Sequence, residues 1–259
     1  MSKSSKDRSS TEPRNAVLVT GALGGIGQAM CSEFQAAGYF VIATDRQDGE
    51  CACDAFLRVD IQELCSSTES RDKLFEEVAS IVESNEVRLH SLINNAAIQI
   101  LNRTDDVTMD DWRTTLDTNL VAPFMLIQRF LPLLEASSGG VVNVASVHAV
   151  ATKPEFVCYA TSKSALVGLT RAMAVDLGPR LRLNAISPAA TATPMLLAGF
   201  EGRPEALKEL ANMHPLERIA EPAEIAQTAV FLCSDNAKFI TGSCWHVDGG
   251  IGARLHDPI

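Results

Sequence analysis

With 259 residues, 46% of them hydrophobic, the chain is long enough for one large α/β domain or two small ones, and too apolar for disorder to be its main theme. Its 32 acidic against 22 basic residues leave a net charge of -10, which argues against nucleic acid or an anionic membrane surface as a partner. No apolar run is long and uninterrupted enough to span a bilayer, so the default reading is a soluble cytoplasmic protein.

Residues 1–14, "MSKSSKDRSSTEPR", are Ser-rich and mildly basic but lack the apolar core of a secretory signal, and read as a disordered tail ahead of a single domain over 15–259. From there apolar runs rich in β-branched residues alternate with longer segments of helical period, the pattern of βαβ units. In chain order the pattern predicts a strand over 16–20, a helix over 25–37, strands over 40–44 and 55–59, a helix over 70–84 and a strand over 89–94. It continues with a long helix over 109–135, interrupted or bent at Pro123 with Pro132 a second candidate. A strand over 140–146, a helix over 158–177, a strand over 181–187, a helix over 222–233 and a strand over 243–247 complete it. Seven strands make a full doubly wound parallel sheet, and no internal repeat or linker interrupts them.

Seven cysteines, at 31, 51, 53, 65, 158, 233 and 244, are an odd number without a paired framework, as expected of free thiols in a reducing compartment. Cys51 and Cys53 are the one close pair. With no histidine or further cysteine at ligand spacing beside them, no metal site is expected.

The stretch "TGALGGIG", Thr20 to Gly27, follows the first strand and opens the first helix. Gly21, Gly25 and Gly27, with Gly24 besides, let the turn leave the strand sharply and let a pyrophosphate approach the backbone N–H groups and the positive end of the helix. A purely structural glycine turn is the plainer alternative, weakened by the position between strand and helix. Asp45 closes the second strand 24 residues after Gly21, about where a dinucleotide fold sets an acid against the ribose hydroxyls. A solvated turn aspartate is its alternative. Asp60 and Ile61, just beyond the third strand, fall at the adenine edge of the same crevice, with a helix N-cap the other reading of Asp60.

Only two tyrosines occur in the chain, and Tyr159 precedes Lys163 by four positions in "CYATSKSALVGL". On a helix that spacing sets phenol and ammonium on one face, about 5–6 Å apart at Cβ. A phenol is too weak an acid to serve as a base at neutral pH, but a neighbouring ammonium and an oxidised nicotinamide both favour phenolate. The pair makes a tunable acid/base. Ser146, thirteen residues earlier at the end of the fifth strand, falls on the carboxyl edge of the sheet, where its hydroxyl could hold a substrate oxygen.

These residues resemble the short-chain dehydrogenase/reductase (SDR) family over essentially residues 15–250. The resemblance is carried by Thr20-Gly21-x-x-x-Gly25-Ile26-Gly27, Asp60, Asn94-Asn95-Ala96, Asn119, Ser146, Tyr159-x-x-x-Lys163, Pro188 with Thr193, and "ITGSCWHVDGG" from Ile240 to Gly250. It implies a Rossmann-like fold and a hydride transfer between a nicotinamide and an alcohol or ketone. Tyr159 would be the general acid/base, Ser146 its orienting partner, and Lys163 both a perturbant of the phenol and a ligand of the nicotinamide ribose. Asn119 would hold a water linking Lys163 to solvent. Gly21, Gly25, Ile26, Gly27, Asp45, Asp60, Ile61, Asn95, Ala96, Pro188, Thr191 and Thr193 would line the cofactor. The chain departs from the family pattern at Ala97 and Ala189, where glycines are usual, which leaves open the course of the loop above the nicotinamide; a positive φ at Ala189 would cost roughly 1 kcal/mol.

The substrate pocket should be walled by Ile98 to Leu101, by the segment after Ser146 (His148, Val150, Thr152, Glu155, Phe156) and by the loop from Ala190 to about His214. His148 joins Ser146 and Tyr159 as a candidate substrate contact, for a sugar, polyol, hydroxy acid or similar small molecule. Three rivals stand against a dehydrogenase. A nucleotide-fold methyltransferase does not need Ser146, Tyr159 and Lys163 at these spacings; a non-catalytic NAD sensor would lose the acid/base; an epimerase or dehydratase would retain NAD without net reduction. Asp45 predicts NAD over NADP, with Arg46 the counter-argument. Apolar residues on the helices over 109–135 and 158–177, including Phe124, Ile127, Phe130, Leu166, Leu169 and Met173, predict a homodimer or homotetramer.

Overall fold

The computed structural model describes residues 12–255, so residues 1–11 of the expected tail lie outside the described residues. The first strand starts two residues earlier than expected, at Arg14, whose guanidinium donates to Gly38 O at 2.7 Å and also reaches Tyr39 O and Asp54. Seven strands form one parallel sheet: β1 Arg14–Thr20, β2 Phe40–Asp45, β3 Ala55–Arg58, β4 Val87–Asn94, β5 Gly140–Val144, β6 Arg182–Pro188 and β7 Cys244–Val247. The order is β3-β2-β1-β4-β5-β6-β7. Chain direction across the sheet therefore reverses between β1 and β4, and a crevice opens beyond their carboxyl ends.

Alternation along the strands loads both faces with apolar side chains. Val17 and Val19 join Met30 and Phe34 of helix α1 (Gly25–Ala36) in one core. Ala16 and Leu18 join the other core. There the sheet meets α3 (Thr68–Ser84), α5 (Ala122–Ala136) and α6 (Val157–Leu177), which follow the short α2 (Glu63–Ser66) and α4 (Met109–Leu116). Helix α9 (Pro222–Cys233) covers the first face beside α1 through Ile225, Ala229 and Leu232.

The long helix expected over 109–135 is three pieces, α4 and α5 joined by a π-helical segment at Asp117–Val121. Pro123 sits in the first turn of α5, directly after the π-helical segment, and Pro132 is carried inside the helix. The loop expected over 190–214 holds two more helices, α7 (Pro194–Ala198) and α8 (Pro204–Asn212), each begun by a proline. Of the six apolar residues expected to face a partner, Ile127, Phe130 and Leu166 are buried within the chain itself. No helix among the described residues is long and apolar enough to cross a membrane.

Candidate active site

The glycine turn connects β1 to α1. Gly21 has φ +63°, and a Cβ on it would lie 2.7 Å from Ala96 Cα; one on Gly27 would lie 2.0 Å from Gly21 O. Both positions exclude side chains, by conformation at the first and by contact at the second. Helix α1 has no side-chain cap and no acidic residue in its first turn. Its free N–H groups and the positive end of its dipole are therefore available to an anion, so the turn fits the pyrophosphate of a dinucleotide. Gly25 faces a different neighbour: a Cβ there would lie 2.8 Å from Thr193, which caps α7 by accepting from Leu196 N. The loop after β6 thus closes against the glycine turn, bringing Thr193 and Pro194 to Gly25.

Asp45 ends β2 with one carboxylate oxygen accepting from Leu23 N at 3.0 Å. Asp60 accepts from Gln62 N at 3.0 Å in the turn entering α2, and the Ile61 side chain is buried in the core, so only its backbone is open to an adenine. Asn95 ties the end of β4 to the glycine turn. Its side-chain amide donates to Thr20 O and Gly21 O, both at 3.0 Å, while Thr20 Oγ1 accepts from the backbone N–H groups of Asn95 and Ala96. Pro188 ends β6, and Thr191 donates to Ala189 O at 3.1 Å. Ala97 and Ala189 are absent from the residues with positive φ. The loop accommodates alanine at both positions without the strain considered above.

Beyond the carboxyl ends of β5 and β4, Ser146, Tyr159, Lys163 and Asn119 come together. Lys163 is buried, with Nζ donating to Val144 O at 2.7 Å and 5.6 Å from the centre of the Tyr159 ring. Burial lowers its pKa from 10.5 to about 7. Burial also pushes the Tyr159 phenol up, and the Ser146 hydroxyl hydrogen-bonded to it opposes the rise. The Ser146 hydroxyl thus favours the phenolate, and burial disfavours the charged form of Lys163. Ser146 Oγ accepts from His148 N at 3.2 Å, which turns its own proton toward the phenol side.

Asn119 sits in the π-helical segment. Its Oδ1 accepts from Ile98 N at 2.9 Å, and its Nδ2 donates to Ile98 O at 2.9 Å and to Ser162 Oγ at 3.0 Å. With the side chain spent on these contacts, a water near Lys163 would have to be held by the Asn119 backbone. Ser162, adjacent to Lys163 and itself donating to Tyr159 O, is a supporting residue that sequence reading missed; its place between the two catalytic candidates was the available signal.

His148 stacks on Phe156 with ring centres 4.3 Å apart at 19°, and both rings meet Tyr159 edge-on. Burial, and secondarily the Lys153 charge, lowers the His148 pKa, which favours the uncharged ring. Glu155 carries φ +72° and accepts from Asn102 N, which joins the expected walls after Ile98 and after Ser146. A cavity of about 370 Å³ lies beside this region, lined by Ala189, Ala190, His214, Arg218 and His246 among others. Ser146 and Tyr159 do not line it.

Residues 21–252 match a family model described as enoyl-(acyl carrier protein) reductase. An acetoacetyl-CoA reductase of Acinetobacter sp. (strain RA3849) is 32% identical over 247 residues, covering 92% of this chain and 98% of its own. The ligand-free aldohexose dehydrogenase of Thermoplasma acidophilum superposes with a TM-score of 0.87 at 31% identity, over 95% of this chain and 97% of its own. A 4-hydroxyisoleucine dehydrogenase complexed with NADH gives 0.81 at 28% identity, over 93% and 100%. The sheet order, the glycine turn and these likenesses agree: the chain belongs to the short-chain dehydrogenase/reductase family and is an NAD(P)-dependent oxidoreductase acting on CH–OH groups.

Proposed function

We propose that the chain oxidises a secondary alcohol, or reduces the ketone, with NAD as its cofactor and Tyr159 as its general acid/base. The convergence of Ser146, Tyr159 and Lys163 at the carboxyl edge of the sheet carries this reading. The dinucleotide would be held by Gly21, Gly25, Ile26 and Gly27 at its pyrophosphate, by Asp45 at the adenosine ribose, by Asp60 and the Ile61 backbone at the adenine, and by Asn95, Ala96, Pro188, Thr191 and Thr193 toward the nicotinamide. When bound, it supplies the hydride acceptor or donor.

In the oxidative direction Tyr159 Oη, as the phenolate, would take the hydroxyl proton of the substrate and become the phenol. Ser146 has a single hydroxyl proton, which would go to whichever of the substrate oxygen and Oη carries the negative charge. Lys163, fixed to Val144 O, stands beside the phenol and would hold the nicotinamide ribose, and Asn119 keeps the Ile98 wall and Ser162 in register with it. The ring of His148, edge-on to Tyr159, would face the substrate.

Asp45 favours NAD because the 2′-phosphate of NADP would meet it as a like charge at contact distance. A homodimer or homotetramer follows from the apolar residues of α5 and α6 that the chain leaves partly uncovered, Phe124, Leu169 and Met173. All seven cysteines are free, as suits the cytoplasm. The substrate is a sugar, polyol, hydroxy acid or similar small molecule. A panel of such alcohols, followed by NADH absorbance, tests the reading; turnover with retained NAD and no net reduction would assign an epimerase or dehydratase instead.

A further inference from the structure

Three consecutive residues of α6 reach three different parts of the site. Successive helical residues stand about 100° apart around the axis, so Ser162, Lys163 and Ser164 radiate from one turn toward separate neighbours. Ser162 is fully buried, and its hydroxyl donates to Tyr159 O at 2.7 Å and accepts from Asn119 Nδ2 at 3.0 Å. Asn119 in turn holds both polar groups of the Ile98 backbone, each at 2.9 Å. Lys163 reaches the end of β5 at Val144 O. Ser164 is exposed, and its hydroxyl donates to Ala149 O at 2.8 Å. Ala149 closes the 3-10 turn Val147–Ala149, which follows Ser146 and carries His148.

We propose that Ser162 and Ser164 are positioning residues that fix the two walls of the substrate site to the helix of Tyr159, an assignment that rests on the oxidoreductase reading above for where the substrate lies. Ser162 fixes the Ile98 wall through Asn119. Ser164 fixes the His148 wall through Ala149.

A serine inside a helix commonly spends its hydroxyl on a carbonyl three or four residues back, and Ser162 does so with Tyr159 O. Its oxygen keeps two lone pairs, one of which takes the Asn119 amide, so a single hydroxyl joins the π-helical segment to the turn that bears Tyr159. Ser164 instead turns away from its own helix, to an acceptor fifteen residues back. Such an exposed bond adds little net stability, because water competes for both partners. It does fix where the 3-10 turn stands, and that turn sets His148 on Phe156 and edge-on to Tyr159. Turnover needs the carbinol carbon and its oxygen in register with Tyr159, and a misplacement of about 1 Å can cost on the order of 10²-fold in rate. Tethers between wall and tyrosine therefore bear more on turnover than on folding. Ser162 is bonded to Tyr159 itself, so its loss acts on the chemical step. Ser164 is bonded to the wall, so its loss acts on substrate affinity.

The test compares Ser162→Ala, Ser164→Ala and Ser164→Thr with the wild type, all as full-length protein. Hydrogen–deuterium exchange reads the walls with no substrate present. Ser162→Ala should speed exchange in peptides that cover Ile98, Ser164→Ala in peptides that cover Val147 to Ala151, and neither in the other's peptides. Kinetics with NAD and glucose, xylitol or lactate read function. Ser164→Ala should raise KM for the alcohol at least about fivefold with kcat and KM for NAD within about twofold, and Ser164→Thr, which keeps the hydroxyl, should restore it. Ser162→Ala should lower kcat at least about tenfold with KM for NAD within about twofold. Exchange at wild-type rates in both walls overturns the proposal. A rise in KM for NAD as large as that for the alcohol also overturns it, being the mark of general loosening. If the wild type oxidises none of the three alcohols, the substrate class proposed above falls, while exchange still decides whether the serines tether the walls.

Discussion

Asp45 and Leu23 are joined by a hydrogen bond of 3.0 Å from the Leu23 backbone N–H to the carboxylate. The acid at the end of β2 therefore holds the glycine turn as well as being the residue proposed to meet the ribose. Arg46 is exposed, as is Arg58, which lies opposite Asp45 on β3 and donates to Arg46 O at 3.3 Å; Ala22, Leu23 and Gly24 add no further cation.

From this we expect kcat/KM for NAD to exceed that for NADP at least tenfold, about 1.4 kcal/mol. Asp45→Ser should shrink the preference and also lower kcat/KM with NAD, because Leu23 loses its acceptor. Asp45→Asn, which keeps an acceptor and loses the charge, should shrink the preference with less damage to NAD. Equal use of both cofactors by the wild type would transfer control of the site to Arg46.

Tyr159→Phe should lower kcat by at least about 10²-fold and leave NAD affinity within about threefold, since the ring still packs on His148 and Phe156 but no positioned group exchanges the proton. Because burial raises the Tyr159 pKa, oxidation by the wild type should quicken as pH rises above neutrality, and reduction should slow. A variant that keeps more than a tenth of wild-type turnover would refute the role.

The sheet was legible because each of its strands is an apolar run bounded by turn residues, and Tyr159, Lys163 and Ser146 because their spacing has a meaning on a helix and at a strand end. Other features were hidden for physical reasons. Val144 O and the Ser162 hydroxyl support Lys163 and Asn119 through contacts set by the tertiary fold. The π-helical segment at Asp117–Val121 has no sequence period of its own. Helices α7 and α8 were legible in principle from Pro194 and Pro204 at their first turns, but their shortness gave no repeat to read. Burial of Tyr159 and Lys163, which opposes charge on both, is likewise a property of the tertiary fold that sequence does not display.

Asn119→Ala removes three hydrogen bonds, two to Ile98 and one to Ser162. We expect a stability loss of about 2–3 kcal/mol in urea unfolding, and a fall in kcat larger than any rise in KM for NAD. Wild-type kcat in a folded Asn119→Ala variant would show that the Ile98 contact has no bearing on turnover.

Light scattering at micromolar concentration should give the mass of two or four chains. Charged replacements at the partly covered Phe124 and Met173 should shift it toward one chain. A single-chain mass for the wild type would mean that these residues are covered by nothing but solvent.

Lys163 gives a prediction with a defined sign. Its pKa is lowered by burial to about 7 in the folded chain and is near 10.5 in the unfolded one. Below pH 7 the lysine is protonated in both states and the folded state carries the full cost of burying the charge. Between pH 7 and about 10.5 the unfolded state binds more protons, so stability rises with pH by at most about 1.4 kcal/mol per unit from this group. Above that range the cost is gone. Lys163→Met, which keeps the stem and removes the charge, should therefore be more stable than the wild type near neutrality, with the gap narrowing toward pH 9. Urea unfolding of both proteins at pH 7 and pH 9 reads this directly, because every other titrating group cancels in the difference between them. Parallel pH profiles would mean that the hydrogen bond to Val144 O compensates the desolvation of the ammonium, and that Lys163 remains a full cation in the folded protein at neutral pH.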